Sequence, residues 1–321
     1  MKIMRTDLQH AHLRQEEQRL RSKFVRHVKR QYQLYLMILP AIVYFIIFHY
    51  APMYGIQLAF KDFNPKLGIT GSPWEGFRHF EKFFNSYQFF RLLRNTIGLS
   101  LYQLLAGFPI PIIMALFLNQ VKHQRFKKLV QTVTYIPHFI SIVVLVGMIH
   151  VFLSPSTGLI NNVIRGFGYK PVYFLGMPQY FKSIFVFSGI WQNAGWGTII
   201  YLAALAGVNP ELYEAARVDG ASKLKIIRHV DFPSIMPTIV ILFIMNVGRI
   251  MNVSFQKALL LQNDLNAEAS EIIQTYMYKT GILQMEFEYS TAISLFNTII
   301  NVILLILANQ VSKKLSENSL W

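Results

Sequence analysis

The chain has 321 residues, 53% of them hydrophobic and only 15% charged, with a mean hydropathy of +0.34, values that fit a multi-span membrane protein and not a soluble two-domain one. There are no cysteines, which excludes disulfides and thiolate metal sites. A net charge of +15 raises the question of nucleic acid, but the cations are placed as topology requires: nine Lys and Arg in residues 1–33, four in Asn119–Val130, four in Val208–Pro233 and two after Ala308. Reading six spans, these are alternate segments, so the positive-inside rule puts both termini and the 208–233 loop in the cytoplasm.

Residues 1–33 form a basic N-terminal arm, read either as an amphipathic helix on anionic headgroups or as a disordered segment. A six-span body over 34–308 and a short cytoplasmic tail over 309–321 complete the expected organisation. The first apolar run begins only after this arm and is too long for a signal-peptide core, so it is read as a retained span. It extends over about Leu34–Phe60 through Pro40, His49 and Pro52. An external segment to Arg91 follows, dense in Trp74, Phe77, Phe80, Phe83, Phe84, Phe89 and Phe90, the composition of an interfacial belt.

The second span, about Leu92–Leu118, contains Gly107-Phe-Pro-Ile-Pro111, and two prolines so close should break or bend it. After a short basic turn, the third span runs over about Leu129–Leu153 with Pro137-His138 inside. The fourth, about Ser183–Gly207, holds Trp191, Gln192, Asn193 and Trp196 among glycines. Two readings stand side by side here. Indole faces with neighbouring amides suit a sugar ring, and small residues with Gln and Asn also suit a helix–helix interface.

The fifth span, about Ser234–Phe255, carries Asn246, Arg249 and Asn252 at intervals of three, which would put them on one helical face. Arg249 at this depth must face a cavity or a partner, because lipid exposure costs roughly 3 kcal/mol on the lenient insertion scale. A carboxylate elsewhere in the assembly and an acidic sugar are the two candidate partners. The long external segment Gln256–Tyr289 is expected to hold a helix over Glu268–Thr280 and to suit docking of an extracytoplasmic protein. The sixth span, about Ser290–Ala308, places Asn297 and Asn301 on one face.

Between the fourth and fifth spans lies a polar insertion, 209–237. Asn209 can cap a helix whose first residue is Pro210, Gly220 offers a left-handed stop, and a second short helix over about Ala221–His229 would end at Phe232-Pro233. Glu214-Ala215-Ala216, Asp219-Gly220, Pro233 and Pro237 resemble the EAA loop of bacterial binding-protein-dependent ABC importers. The likeness extends over nearly the whole chain, including Gly248-Arg-Ile-Met-Asn-Val-Ser-Phe255 and the ending Ser312–Trp321, and it is to sugar permeases of the carbohydrate-uptake type, in the branch with polysaccharide and alginate permeases. Gly-Ser commonly stands there in place of Gly248-Arg249, which makes Arg249 a candidate specificity residue.

That resemblance implies an all-α inner-membrane permease with six spans, paired with a second homologous permease, two ATPase subunits and a solute-binding protein. Its cargo would be an oligosaccharide, with an acidic one such as a uronate or alginate fragment among the candidates. Glu214, Ala215, Ala216, Asp219, Gly220, Pro233 and Pro237 would couple to the ATPase. The chain has no Gly-x-x-x-x-Gly-Lys-Ser/Thr phosphate loop, so ATP and Mg are assigned to the partner subunits, and no cofactor, metal, catalytic residue or nucleic acid to this chain. Trp191, Gln192, Asn193, Trp196, Asn246, Arg249, Asn252 and Asn297 are the candidate substrate path. The rival reading is an ion-coupled secondary transporter, which would usually need carboxylates or histidines within the spans as coupling sites; the spans as bounded above contain no Asp or Glu.

Overall fold

The computed structural model describes residues 30–315, which are helical throughout apart from loops and one isolated antiparallel bridge between Lys61 and Trp74. Among the described residues four helices are long and apolar enough to cross a bilayer: Tyr32–Phe60, Phe89–Asn119, Lys223–Val247 and Phe287–Lys314. The bent pair Gln124–Phe139 and Ile142–Phe152 would make a fifth. Most of the arm expected over 1–33 lies outside the described residues, as do residues 316–321 of the expected tail.

The chain divides into two units, Met1–Gln57 and Leu58–Trp321. In the first, α1 (Tyr32–Phe45) runs through Pro40 into a π-helical turn at Ile46–Tyr50. None of the α1 side chains is buried, and they are apolar on nearly every side, as a lipid-facing helix must be. His49 lies against the rings of Tyr44 and Phe45, at 5.6 and 5.0 Å between centroids, near the end of this stretch.

The second unit is built around a helix of 29 residues, α6 (Pro178–Ala206). Packed against it are α2 (Phe89–Gly107), α3 (Pro109–Asn119), α4 (Gln124–Tyr135), α8 (Phe232–Val247) and α9 (Phe255–Leu261). Phe181, Phe185 and Val186 of α6 join Leu99, Leu145 and Ile272 in one buried cluster, and Tyr201 and Leu205 join Ile112, Ala115 and Ile235 in another. The α6 backbone approaches α4 so closely at Gly195 that an added Cβ would overlap the Thr134 carbonyl.

Helix breaks depart from the expected spans in informative ways. The second span bends at Phe108, where Pro109 and Pro111 open a new hydrogen-bonding run, yet α2 and α3 remain one crossing element. The third, expected as one rod over Leu129–Leu153, is instead broken by 100° between Gln124–Phe139 and α5 (Ile142–Phe152). Pro137 lacks a donor, Ile140 is extended, and Ser141 caps α5 by accepting from the Val144 amide at 3.3 Å. The Ile140 carbonyl, left without a helical partner at the break, is satisfied by Gln192 Nε2 at 2.8 Å.

The fifth span ends at Val247, eight residues before the expected limit of Phe255, so Asn246, Arg249 and Asn252 do not share one helical face. The chain leaves the helix there because α11 (Phe287–Leu315) captures it: Asn301 Oδ1 accepts from the Met251 amide at 3.1 Å, while Asn297 and Asn301 both donate to Asn252 Oδ1. At its other end the fifth span does not stop at Phe232-Pro233. Lys223–Ile226 continues through a π-helical turn, Ile227–Asp231, into α8, and this wider turn accommodates the missing Pro233 donor.

The helix expected over Glu268–Thr280 is also two pieces, Ala267–Ser270 and α10 (Ile273–Tyr278). Glu271 between them is buried and paired with Arg91 at 2.6 Å and Lys279 at 2.9 Å, so it faces inward and not toward a docking partner. The aromatic belt divides likewise. Phe83 is buried against Phe89 and Phe296, whereas Trp74, Phe77 and Phe90 remain exposed.

The contact at Gly195 yields a direct test. Gly195→Ala should cost about 1–3 kcal/mol by forcing α6 from α4, read as a lowered unfolding temperature of the detergent-purified protein. Gly166→Ala, where a Cβ meets nothing within 4 Å, should leave that temperature unchanged.

Candidate functional site

Two adjoining cavities lie in the second unit. The larger, about 490 Å³, is an open cavity bordered by α2, α3, α6, α8 and the turn after α8, and Asn193, Asn246, Arg249 and Asn252 all line it. The end of α8 at Val247 brings the last three together from a helix terminus, a turn and an extended link, a grouping that helical spacing does not describe. Arg249 is exposed and makes no ion pair among the described residues. Asn246 Nδ2 donates to the Leu242 carbonyl at 2.7 Å, within its own helix.

The second cavity, about 430 Å³, lies at the broken third span and is lined by His138, Gln192, Asn193, Ser254 and Lys257, with Gln103 common to both. Gln192 is buried and committed to the Ile140 carbonyl, which makes it a brace for the break. Asn193 Oδ1 contacts His138 Nδ1 at 3.0 Å. Trp191 and Trp196 are about half-exposed and line neither cavity, and one face of Trp196 is covered by His138, stacked at 4.5 Å and 4°. Asn297 lies outside both cavities, buried in its bond to Asn252. Gln103 and Lys257 were not among the residues expected from the sequence, since a lone Gln in an apolar helix and a lone Lys in a segment read as external carry no pattern until the fold juxtaposes them.

The 209–237 segment forms as its local chemistry dictates. Asn209 Oδ1 accepts from the Glu211 amide at 3.1 Å and caps α7 (Pro210–Val218), with Pro210 in its first turn. The end of α7 is a Schellman turn. Ala221 N–H donates to the Ala216 carbonyl at 2.9 Å, Gly220 N–H to Arg217 at 3.1 Å, and Gly220 holds φ +69°. Ser222 then caps the next helical piece. Glu214, Ala215, Asp219, Gly220, Pro233 and Pro237 are exposed and Ala216 is half-buried; Leu212, Val218 and Leu224 also stand free, so α7 and the turn after it offer an uncovered surface of mixed apolar and charged character.

What holds this surface is a residue the motif does not contain. Asp231, with no exposed surface, accepts from Tyr213 Oη at 2.7 Å, Asn119 Nδ2 at 3.0 Å and Gln120 Nε2 at 2.6 Å. The carboxylate therefore joins α7, the end of α3 and the π turn leading into α8. Burial, and then the bond to Asp231, push the Tyr213 hydroxyl up to about 12, so it stays protonated and able to donate. Asp231 also sits in a helix that extends beyond the expected fifth span, but its three donors satisfy it at the loop end of that helix.

Comparisons with known proteins agree on the class. Residues 107–317 match the family described as binding-protein-dependent transport system inner membrane component. The polygalacturonan/rhamnogalacturonan transport system permease protein YteP of Bacillus subtilis (strain 168) is 45% identical, covering 91% of each chain. Protein LplB of the same strain is 42% identical over 92% of each. Among solved structures, a chain of the bacterial alginate ABC transporter in complex with alginate pentasaccharide-bound periplasmic protein is 40% identical with a TM-score of 0.84, covering 92% of this chain and 99% of that one. A second alginate-importer structure gives 41% identity and a TM-score of 0.85 over the same shares. The chain thus belongs to the binding-protein-dependent transport system inner membrane components, as a multi-pass permease subunit of an ABC importer.

Proposed function

We propose that this permease carries a uronate-containing oligosaccharide across the bacterial cytoplasmic membrane by alternating access, as one of two homologous permease subunits driven by two ATPase subunits and fed by an extracytoplasmic binding protein. The observation that carries the acidic substrate is Arg249, a guanidinium with no carboxylate partner among the described residues, on the wall of a cavity of about 490 Å³ beside Asn193, Asn246 and Asn252. A guanidinium binds a carboxylate in a planar two-point fashion, and the amides can meet hydroxyls. The polygalacturonan/rhamnogalacturonan and alginate transporters to which the chain is similar handle polymers of this chemistry.

In this reading the chain crosses the membrane six times with both termini inside, α6 being the sixth crossing element beside the four apolar helices and the bent pair. The Asn209–Pro237 loop then lies in the cytoplasm, with α7 seated in a groove of the ATPase. Glu214, Ala215, Ala216, Asp219 and Gly220 supply its contact surface, Pro233 and Pro237 shape the helix that follows, and Glu214 meets a basic residue of the groove. ATP with Mg belongs to those partner subunits. Because Asp231 joins α7 to α3 and α8, displacement of α7 as the ATPases close is passed to helices that wall the larger cavity.

Two outcomes are expected in the purified complex reconstituted with its binding protein. Glu214→Lys or Gly220→Pro should abolish substrate-stimulated ATP hydrolysis while the permease remains in the membrane, and Tyr213→Phe, which removes one donor from a buried carboxylate at a cost of about 1–3 kcal/mol, should weaken it; stimulation at the wild-type level in all three would sink the coupling role. Arg249→Gln should lower uptake of anionic oligosaccharides about tenfold more than uptake of neutral ones of equal length. Equal losses in a radiolabelled uptake assay would return Arg249 to a structural role.

A further inference from the structure

Lys257, in α9 and outside the helices long and apolar enough to span, is only 4% exposed and has no carboxylate partner among the described residues. Its Nζ donates to the Phe185 carbonyl at 2.7 Å and lies 4.7 Å from the centroid of the Phe185 ring. An ammonium has three donors, and one acceptor and one ring face do not saturate it. Burying such a group without a counter-charge is costly. Burial pushes the Lys257 ammonium down, to about 7, and an arriving carboxylate would favour its charged form.

Its position gives this group a use. Lys257 lines the second cavity, and its Nζ is 3.2 Å from where a Cβ on Gly189 would stand. Gly189, Gln103 and Asn193 line both cavities, so the amine stands at the wall they share. Arg249 belongs to the other side of that boundary. The other titratable group on the Lys257 cavity, His138, is already engaged by Asn193 and Trp196, and among the described residues no carboxylate lines either space. Among the described residues, the two adjoining chambers thus hold one Lys or Arg each and no acidic side chain.

We infer that Lys257 is a second carboxylate-binding position on the transport path, so that successive uronate units of one oligosaccharide meet Lys257 and Arg249 in the two chambers. This rests on the acidic-oligosaccharide reading above. It goes further in assigning a site to a residue outside both the coupling loop and the Arg249 cavity. A purely structural role, with the amine serving only to tie α9 to α6 through the Phe185 carbonyl, would not distinguish an acidic sugar from its neutral counterpart.

The test uses the complete transporter in proteoliposomes with its binding protein, assayed with galacturonate and mannuronate tetramers and with the same tetramers after carboxyl reduction. Wild-type uptake of neither acidic tetramer overturns the acidic-substrate reading itself. Given wild-type uptake, Lys257→Met should lower the ratio of acidic to carboxyl-reduced transport about tenfold, and Lys257→Arg, which keeps the charge, should hold most of that ratio; an unchanged ratio in Lys257→Met overturns the Lys257 site alone. A second measurement needs no variant. During turnover by the wild-type complex, a tetramer activated with a water-soluble carbodiimide should form an amide with Lys257 Nζ, the activating group leaving as its urea. Peptide mass spectrometry that finds the acidic tetramer attached elsewhere along the path and never at Lys257 also overturns the site.

Discussion

A single carboxylate joins the loop surface to the transmembrane body. Asp231 has no exposed surface and no ion pair among the described residues, and its carboxylate is met by three neutral donors from two separate stretches of chain. Such an arrangement is demanding, because removing any donor leaves a charged oxygen buried with no water to replace it. It also has a directional consequence. Tyr213 stands one residue before Glu214 on α7, while Asn119 and Gln120 close the second span, so α7 cannot shift without moving the ends of helices that continue to the larger cavity. The exposed residues of α7 supply a surface, and Asp231 ties that surface to α3 and α8.

The cavities themselves are made from helix breaks. Gly107, Phe108 and Pro111 come from the bend in the second span, His138 to Ile142 from the 100° break in the third, and Arg249 to Val253 from the premature end of the fifth. Irregular backbone at membrane depth is tolerated only where protein or a polar cavity satisfies it. Here Gln192 serves the Ile140 carbonyl, Asn301 serves the Met251 amide, and Ser141 caps α5. Residues that read as sugar ligands in isolation are therefore partly the scaffold that holds the cavities open.

Charge is distributed with the same economy. Among the described residues, Glu271 pairs with Arg91 and Lys279, Glu286 with Lys82, and Glu75 with Arg78. Arg249 and Lys257 have no ion-pair partner among the described residues, and each lines one of the two cavities. Cations left unpaired on a cavity wall raise the local concentration of anions and favour a polyanionic passenger, which suits a permease similar to transporters of polygalacturonan and alginate.

Composition and the alternation of basic segments were enough to read a helical multi-span membrane protein from the amino acids alone, because bilayer thickness and helix capping act locally and leave local patterns, whereas the importer class came from the resemblance of the Glu214-to-Pro237 segment to a family loop. The Asn209 cap and the Gly220 turn formed where their chemistry required. What local pattern could not supply was the route of the chain through its breaks. Pro233 was expected to stop a helix and instead sits beside a π turn, and Asn246, Arg249 and Asn252 were expected on one helix and instead converge after it has ended. Their partners, Asn119 and Gln120 for Asp231, Asn297 and Asn301 for the chain after α8, are far away in sequence. Only tertiary structure decided those pairings, since a buried polar group is satisfied by whichever donor packing brings within reach, and no spacing rule encodes that distance.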